Sequence, residues 1–327
     1  MVRQESVLVT LLKLVDSLPI PPPSPREPGR PRVYPDRLFL KALVIMIVRR
    51  LHKVHEFLAV ITQPTPEMQQ LRQLLTDAQR RFPSRRTWER RLAVLPDTLP
   101  AQIGCLGRHL VALLQPWVAC ARAAAIDSTV LRALGGVWHK KDREAGVVPH
   151  SSIDTEAAWT KSGWHGWVYG WKLHLVCTAA RVWIPLAADL TPANAADNMQ
   201  APALIQELPC DLRFLLGDQH YHDPELEQEC TRRGWFLITP KRGAYPHSDG
   251  GVAVRRILHK TRSVAIENVN EQFKGIFDGH GQVPTRGLAA TRRFALGAIL
   301  VYQLALLYRC QLGAELRVGL KAFIRAA

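Results

Sequence analysis

Two short apolar runs in this chain end in aspartate: Arg-Ala-Ala-Ala-Ile-Asp at 122–127 and Leu-Arg-Phe-Leu-Leu-Gly-Asp at 212–218. Such runs, bounded by turn-forming residues, read as buried strands, which places Asp127 and Asp218 at strand ends. In open α/β sheets, ligand sites gather outside the carboxyl ends of the strands. If the two strands are parallel neighbours, these carboxylates meet at one rim although 91 residues separate them. Glu267 lies 49 residues further on, in the helix-forming stretch Thr261–Gly275, and a helix packed across that rim could deliver it. Three carboxylates brought together are costly unless paired or metal-bound. Mg²⁺ or Mn²⁺ suits them, because hard cations take carboxylate oxygens and keep sites for phosphate oxygens. Two such ions about 4 Å apart serve phosphodiester displacement.

Glu267 also has a plainer reading. Ile266, Val269, Phe273 and Ile276 mark a buried stripe, and Glu267 and Lys274, seven residues apart, share the face beside it, roughly 10 Å apart along the axis. That face could simply be solvated, with Glu271 and Lys274 an ordinary pair three residues apart. Glu271, one turn beyond Glu267, is the substitute third carboxylate.

The rim needs a scaffold, and the periodicity supplies one from about residue 121. "GWKLHLVCTA" and "VWIPLAADL" read as consecutive strands around a turn at Ala180–Arg181, and "GWFLITP" as a further strand. Between them lie two helices, one starting at Asn194 or Asp197 and one at Asp223–Pro224 that closes at Gly234. The order β, insertion, β, β, α, β, α, β, then the Glu267 helix describes a mixed α/β sheet flanked by helices. We expect this domain over residues 121–312, with an insertion at about 132–167 and a tail over 313–327.

Residues 1–120 read as all-helical and basic, with 18 Lys and Arg against 9 Asp and Glu. Helices are expected near 4–17, over 36–50 with Asp36 as N-cap, near 53–62, over 66–81, and from Ser84 to Pro96. A Pro/Arg-rich linker at 18–35 carries Arg26, Arg30 and Arg32 as a tether or a basic arm. The Ser84 helix bears Arg85, Arg86, Arg90 and Arg91. Six arginines against one glutamate over residues 80–91 repel one another unless an anion is near. Short helices ending in an Arg-rich one resemble a helix-turn-helix, with a solvated basic face as the alternative.

The whole chain has 327 residues, 47% of them apolar, and a formal charge of +15, which calls for a folded core and a polyanionic partner, nucleic acid first. A membrane is excluded: the longest apolar stretch, Phe294–Tyr308, has 15 residues and contains Gln303, short of the roughly 20 needed to span, so it reads as a core helix. No secretory signal is evident, and six scattered cysteines without zinc spacing fit a reducing, cytoplasmic compartment.

"AAIDSTVL" around Asp127, "YGWKLHLV" at 169–176, "LTPANAADNMQAPALI" at 190–205, "LLGDQHYHDPEL" around Asp218, and Glu267 followed by Lys274 together resemble the DDE transposases of bacterial insertion sequences, over roughly residues 120–310. The resemblance implies an RNase H-like core in which Asp127, Asp218 and Glu267 bind two divalent ions, cut element ends and join the 3′-hydroxyls to target DNA. It implies terminal inverted repeats as the DNA partner, a homodimer in the synaptic complex, and a nucleoid-associated location in the cytoplasm. The family spaces Tyr, Arg, Glu and Lys by two, three and six residues. Here His259 replaces the Tyr, four residues separate Arg262 from Glu267, and six separate Glu267 from Lys274. Arg262 and Glu267 then lie about 140° apart on an ideal helix. Arg262 and Lys274 are the residues this helix offers to DNA. A nuclease without strand transfer and a catalytically decayed DNA-binding remnant are the alternatives.

Several further residues carry expectations. Asp154 and Glu156 read as surface carboxylates of the insertion. His220 and His222 position the loop after Asp218 or touch DNA, and Tyr221 packs beneath Asp218. Trp138, Trp159, Trp164, Trp167 and Trp171 read as an aromatic mini-core, with base stacking as the other use. Lys161, Lys172, Arg242, Arg255, Arg256 and Lys260 would line a groove beside the rim or be merely solvated.

Overall fold

The structure, a computed structural model, describes residues 6–19, 21, 33–117, 121–163, 166–240, 249–276, 281–316, 319 and 322–323, with the backbone alone for 249–255 and 275–276. Arg26, Arg30, Arg32, Trp164, Arg242 and the Arg255 side chain lie outside the described residues.

The helices α1 (Val7–Ser17), α2 (Asp36–Val48), α3 (Val54–Ile61), α4 (Pro66–Leu74), α5 (Arg85–Val94) and α6 (Leu99–Leu114) come first. Two differ from their sequence signals. Pro35 takes the N-cap position of α2, leaving Asp36 as its first residue, where its carboxylate pairs with Arg91. The pattern over 66–81 stops at Leu74, because the Asp77 carboxylate accepts the backbone N–H groups of Gln79 at 3.0 Å and Arg81 at 2.8 Å, folding that segment into a turn. The bundle is organised around Trp88 of α5, fully buried with the rings of Phe39, Phe57 and Phe82 at centroid distances of 5.1, 5.3 and 5.5 Å.

The second half follows as β1 (Ala123–Arg132), α7 (Lys140–Glu144), β2 (Ala158–Ser162), β3 (Gly166–Thr178), β4 (Pro185–Pro192), α8 (Asp197–Ile205), β5 (Phe214–Leu216), α9 (Pro224–Arg232), β6 (Phe236–Ile238), α10 (Asp249–Ile276) and α11 (Leu288–Gln311). The strands form one mixed sheet: β4, β3 and β1 are antiparallel neighbours, and β5 and β6 continue it in parallel. This is the RNase H-like mixed sheet flanked by helices that the sequence leads one to expect. The β2 strand adds a hairpin on the outer end of β3, inside the insertion. Strand β1 does not end at Asp127 but runs on to Arg132, because antiparallel pairing to β3 continues through Arg132 opposite Gly170 after the parallel partner β5 has stopped at Leu216.

The apolar stretch near 294–308 is the middle of α11, a core helix packed on α2, α6 and β4. Its length and composition would suffice to cross a bilayer, but 78% of that apolar window is buried within the protein. Gln303, wholly buried, donates to the Ile103 carbonyl at 2.8 Å and the Pro185 carbonyl at 2.9 Å, tying α6 and β4 to α11.

Asp154 is buried rather than a surface carboxylate: it accepts the Gly287 N–H at 2.8 Å, and Glu156 beside it accepts the Leu288 N–H at 3.0 Å. A helix start has unsatisfied N–H groups and a positive dipole end, so these two carboxylates hold the insertion onto α11. Replacing Asp154 with Ala should therefore lower unfolding free energy by about 1–3 kcal/mol, and the exposed Glu156→Ala by less, as read from urea denaturation of both variants.

Candidate active site at the rim of the sheet

The parallel register pairs Ala123, Ala124 and Ala125 with Phe214, Leu215 and Leu216. Extended two residues past the end of β5, the same register sets Asp127 opposite Asp218. Asp127 is held by the Ser128 N–H, which donates to its Oδ1 at 2.8 Å. Asp218 caps a 3₁₀ turn over Gln219–Tyr221 by accepting the His220 N–H at 2.8 Å. Tyr221 packs buried beneath this loop, so close that a Cβ on Gly217 would come within 2.8 Å of its own Cβ. Burial, then the charges of Asp197, Asp127 and Asp218, push the Tyr221 phenol far up, and its hydroxyl has no hydrogen-bond partner among the described residues.

Burial raises the Asp127 carboxyl to about 6, with Asp218 and Asp197 adding to the rise, while Arg262 and the Ser128 N–H oppose it. Arg262 reaches it from α10, Nη1 to Oδ2 at 3.3 Å. It can do so because Arg262, Ile266, Val269 and Phe273 share one helical face, and the last three are buried at 0–2% exposure. Glu267, about 140° round from Arg262, is on the exposed side of α10, with Lys274 partly exposed two turns beyond it. The fold thus brings Asp127, Asp218 and Arg262 together and leaves Glu267 outside. Glu271 is likewise exposed. Among the described residues no group of three or more His, Cys, Asp or Glu side chains converges on one point.

A second polar cluster adjoins the rim. Lys172 is not solvated: it is buried, donating to the Ala195 carbonyl at 2.8 Å and lying 3.2 Å from Asp197. His174, fully buried, sits 3.5 Å from Asp197 through Nδ1 and 2.9 Å from Thr191 Oγ1 through Nε2. Burial holds the His174 imidazole down to about 4, against the pull of Asp197. Strand alternation puts Lys172 and His174 on the sheet face opposite Asp127. The sequence signal was the alternation of Lys172 and His174 through an otherwise apolar strand, together with the helix start at Asp197.

The remaining sequence-selected residues are scattered. His220 is exposed, and His222 bonds Thr239 Oγ1 at 3.2 Å. On α5, Arg86 and Arg90 are exposed, Arg85 pairs with Glu89 at 2.7 Å, and Arg91 is turned inward onto Asp36 and over the Phe39 ring at 4.4 Å. Lys161 and Lys260 are exposed, as is Arg256.

Sheet order and flanking helices make this a mixed α/β domain, with Asp127 and Asp218 at one rim of its sheet. Residues 119–304, more than half of the 327, match the family model described as Transposase DDE domain, and the chain belongs to that family. Members cut and transfer DNA strands and generally use divalent metal ions. No curated protein matches the chain. Among solved structures it is similar to piggyBac transposase in a synaptic complex with hairpin DNA, at 9% identity and a TM-score of 0.43, over 97% of this chain and 76% of that one.

The Asp127 carboxyl has a measurable signature. Its value in the fold, about 6, exceeds its ordinary 3.8, so between those values the folded state holds more proton than the unfolded one. Stability contributed by this group therefore falls as pH rises through that window. Asp127→Asn should raise unfolding free energy by about 1–3 kcal/mol at pH 8 and bring little gain at pH 4, read from thermal unfolding of both proteins across the range.

Proposed function

We propose that this protein cuts the ends of a bacterial insertion sequence and joins the freed 3′-hydroxyls to target DNA, with Asp127, Asp218 and Glu267 as its catalytic carboxylates. The observation that supports the reading is the parallel pairing of β1 with β5, which stops two residues short of Asp127 and Asp218, in a chain whose residues 119–304 match the Transposase DDE domain. The donor set fits the divalent ions the family uses: two carboxylates with hard oxygen ligands, one of them half-buried with its charge only partly answered by a single guanidinium. Asp127 and Asp218 would hold Mg²⁺ or Mn²⁺, two ions in all, and Glu267 would join them after α10 turns. Bound there, the ions would activate the attacking hydroxyl and stabilise the leaving oxygen.

The chain's own residues do the rest. Tyr221 and the Ser128 N–H hold the two aspartates in place from below and beside. Arg262, released from Asp127 when α10 turns, is then free for a phosphate. Arg85, Arg86 and Arg90 on α5 and Lys274 on α10 supply cations to the DNA backbone, where each phosphate contact displaces a condensed counterion. The partners are the terminal inverted repeats and the target DNA, bound by a homodimer that brings two ends together in the cytoplasm.

Arg262 on Asp127, with Glu267 outside the cluster, is a specific observation in favour of the second reading, a catalytically decayed DNA-binding remnant. The two separate on purified protein with DNA carrying the flanking repeats. In Mg²⁺ or Mn²⁺ we expect cut and joined products, each reduced at least about 100-fold by Asp127→Asn, Asp218→Asn or Glu267→Gln. Cutting without joining would make it a nuclease, and specific binding without cutting would make it the remnant. Iron-induced hydroxyl-radical cleavage of the polypeptide, mapped with and without DNA, should cut near Asp127 and Asp218 in both states and near Glu267 only with DNA.

A further inference from the structure

We propose that Asp197 is a positioning residue of the rim: it accepts the Tyr221 hydroxyl and so fixes the loop that holds Asp218 against Asp127. The inference deepens the transposase reading above and rests on it for the reaction whose rate it sets.

The sheet does not place Asp218 by itself. Strand β5 stops at Leu216, and one more backbone bond follows, from the Gly217 N–H to the Ile238 carbonyl at 3.0 Å. Asp218 therefore rides on the 3₁₀ turn that it caps, and the buried side chain of Tyr221, the last residue of that turn, is its anchor. The Tyr221 N–H returns to the Asp218 carbonyl at 3.2 Å, so the two residues move together. Catalytic groups tolerate about 0.5 Å of play. Whatever holds Tyr221 sets that play for Asp218.

What meets Tyr221 is the first turn of α8. That helix packs on the 3₁₀ turn and on β1. Asn198 donates to the Asp223 carboxylate at 2.9 Å, which pins the start of α8 just past Tyr221. Asp197 is the first residue of α8, and its side chain is 16% exposed. After burial, Asp197 is the largest influence raising the Tyr221 phenol, ahead of Asp127 and Asp218.

Donors and acceptors select the contact. The Thr191 hydroxyl donates to the Pro192 carbonyl at 3.1 Å, so its oxygen is left to accept from His174 Nε2 at 2.9 Å. The neutral His174 ring then carries its proton on Nε2 and turns a bare Nδ1 lone pair toward Asp197, 3.5 Å away. Neither Nδ1 nor Asp197 Oδ1 has a hydrogen-bond partner among the described residues, and both are acceptors. The Tyr221 hydroxyl, likewise without a partner among the described residues, is a donor. Buried polar atoms are rarely left unmatched, and a bond from Tyr221 to Asp197 Oδ1 satisfies both ends.

Stability does not account for the cluster. A buried ion pair gives little over apolar side chains of similar volume, yet Lys172 and His174 interrupt a strand that is otherwise apolar from Trp171 to Val176. Lys172, fixed on the Ala195 carbonyl at 2.8 Å, supplies the countercharge to Asp197 at 3.2 Å. Asp197 does not converge with Asp127 and Asp218 on one point, so it acts through the loop.

The test is a double-mutant cycle on the full chain. Tyr221→Phe removes only the hydroxyl. Asp197→Ala removes its acceptor, and is made together with Lys172→Met so that no buried cation is stranded. Without metal, Tyr221→Phe should lower the thermal midpoint by roughly 2–5 °C in the otherwise unchanged chain and leave it unmoved in the Asp197→Ala/Lys172→Met background. On DNA carrying the flanking repeats, in Mg²⁺, either arm should slow cutting roughly 10- to 100-fold with unchanged DNA affinity. The two arms combined should cut no more slowly than the slower of them. Additive effects on unfolding and cutting would overturn the contact and leave the transposase reading standing. Coupled unfolding with undiminished cutting in Tyr221→Phe would reduce the contact to scaffolding and overturn the positioning role. A parent chain that never cuts would overturn the transposase reading and the positioning role with it.

Discussion

A carboxylate at the end of a buried parallel strand pair has lost most of its water, and the arrangement around Asp127 answers that loss. The cost appears in the raised carboxyl and in the repulsion from Asp218 and Asp197. Arg262 supplies the opposing charge from a different element, crossing 135 residues of sequence. In the reading proposed above, a divalent cation would answer the same charge in place of the guanidinium.

The scaffold is stiff where this matters. β1 is hydrogen-bonded on both sides at Ala123–Ala125, and β3 supports it well beyond Asp127. Behind the sheet, Gln303 ties α6 and β4 to α11, and Asp154 with Glu156 ties the insertion to the start of that helix. Trp88 performs the corresponding task in the N-terminal helices, whose α2 and α5 also pack on α11.

Much of this was readable in advance. The succession of strands and helices along the chain, the α9 start at Asp223–Pro224 and the core helix at 294–308 follow from apolar period and capping chemistry, which act within a few residues, whereas the parallel adjacency of the Asp127 and Asp218 strands is a condition that the fold meets. Charged groups whose partners lie far off in sequence depart from what the local pattern implies. Asp154 looked like a surface carboxylate because nothing near it in the chain reveals that Gly287 needs an acceptor. Lys172 reads as a groove-lining or solvated cation because Asp197 and the Ala195 carbonyl reach it only through the fold. The stripe of Ile266, Val269 and Phe273 was visible, and Arg262 shares its spacing, so the inward turn of Arg262 was there to be read.

What the sequence determined by itself was the kind of each element and an aspartate just after each of two buried apolar runs, because periodicity and turn residues constrain the backbone locally. Only the tertiary structure decided which face of α10 meets Asp127. A helix carrying both Arg262 and Glu267 can present either, and the choice depends on how Ile266, Val269 and Phe273 fit the surface of β1 and β3. That fit is a property of side chains brought together from distant parts of the chain, which no local pattern records.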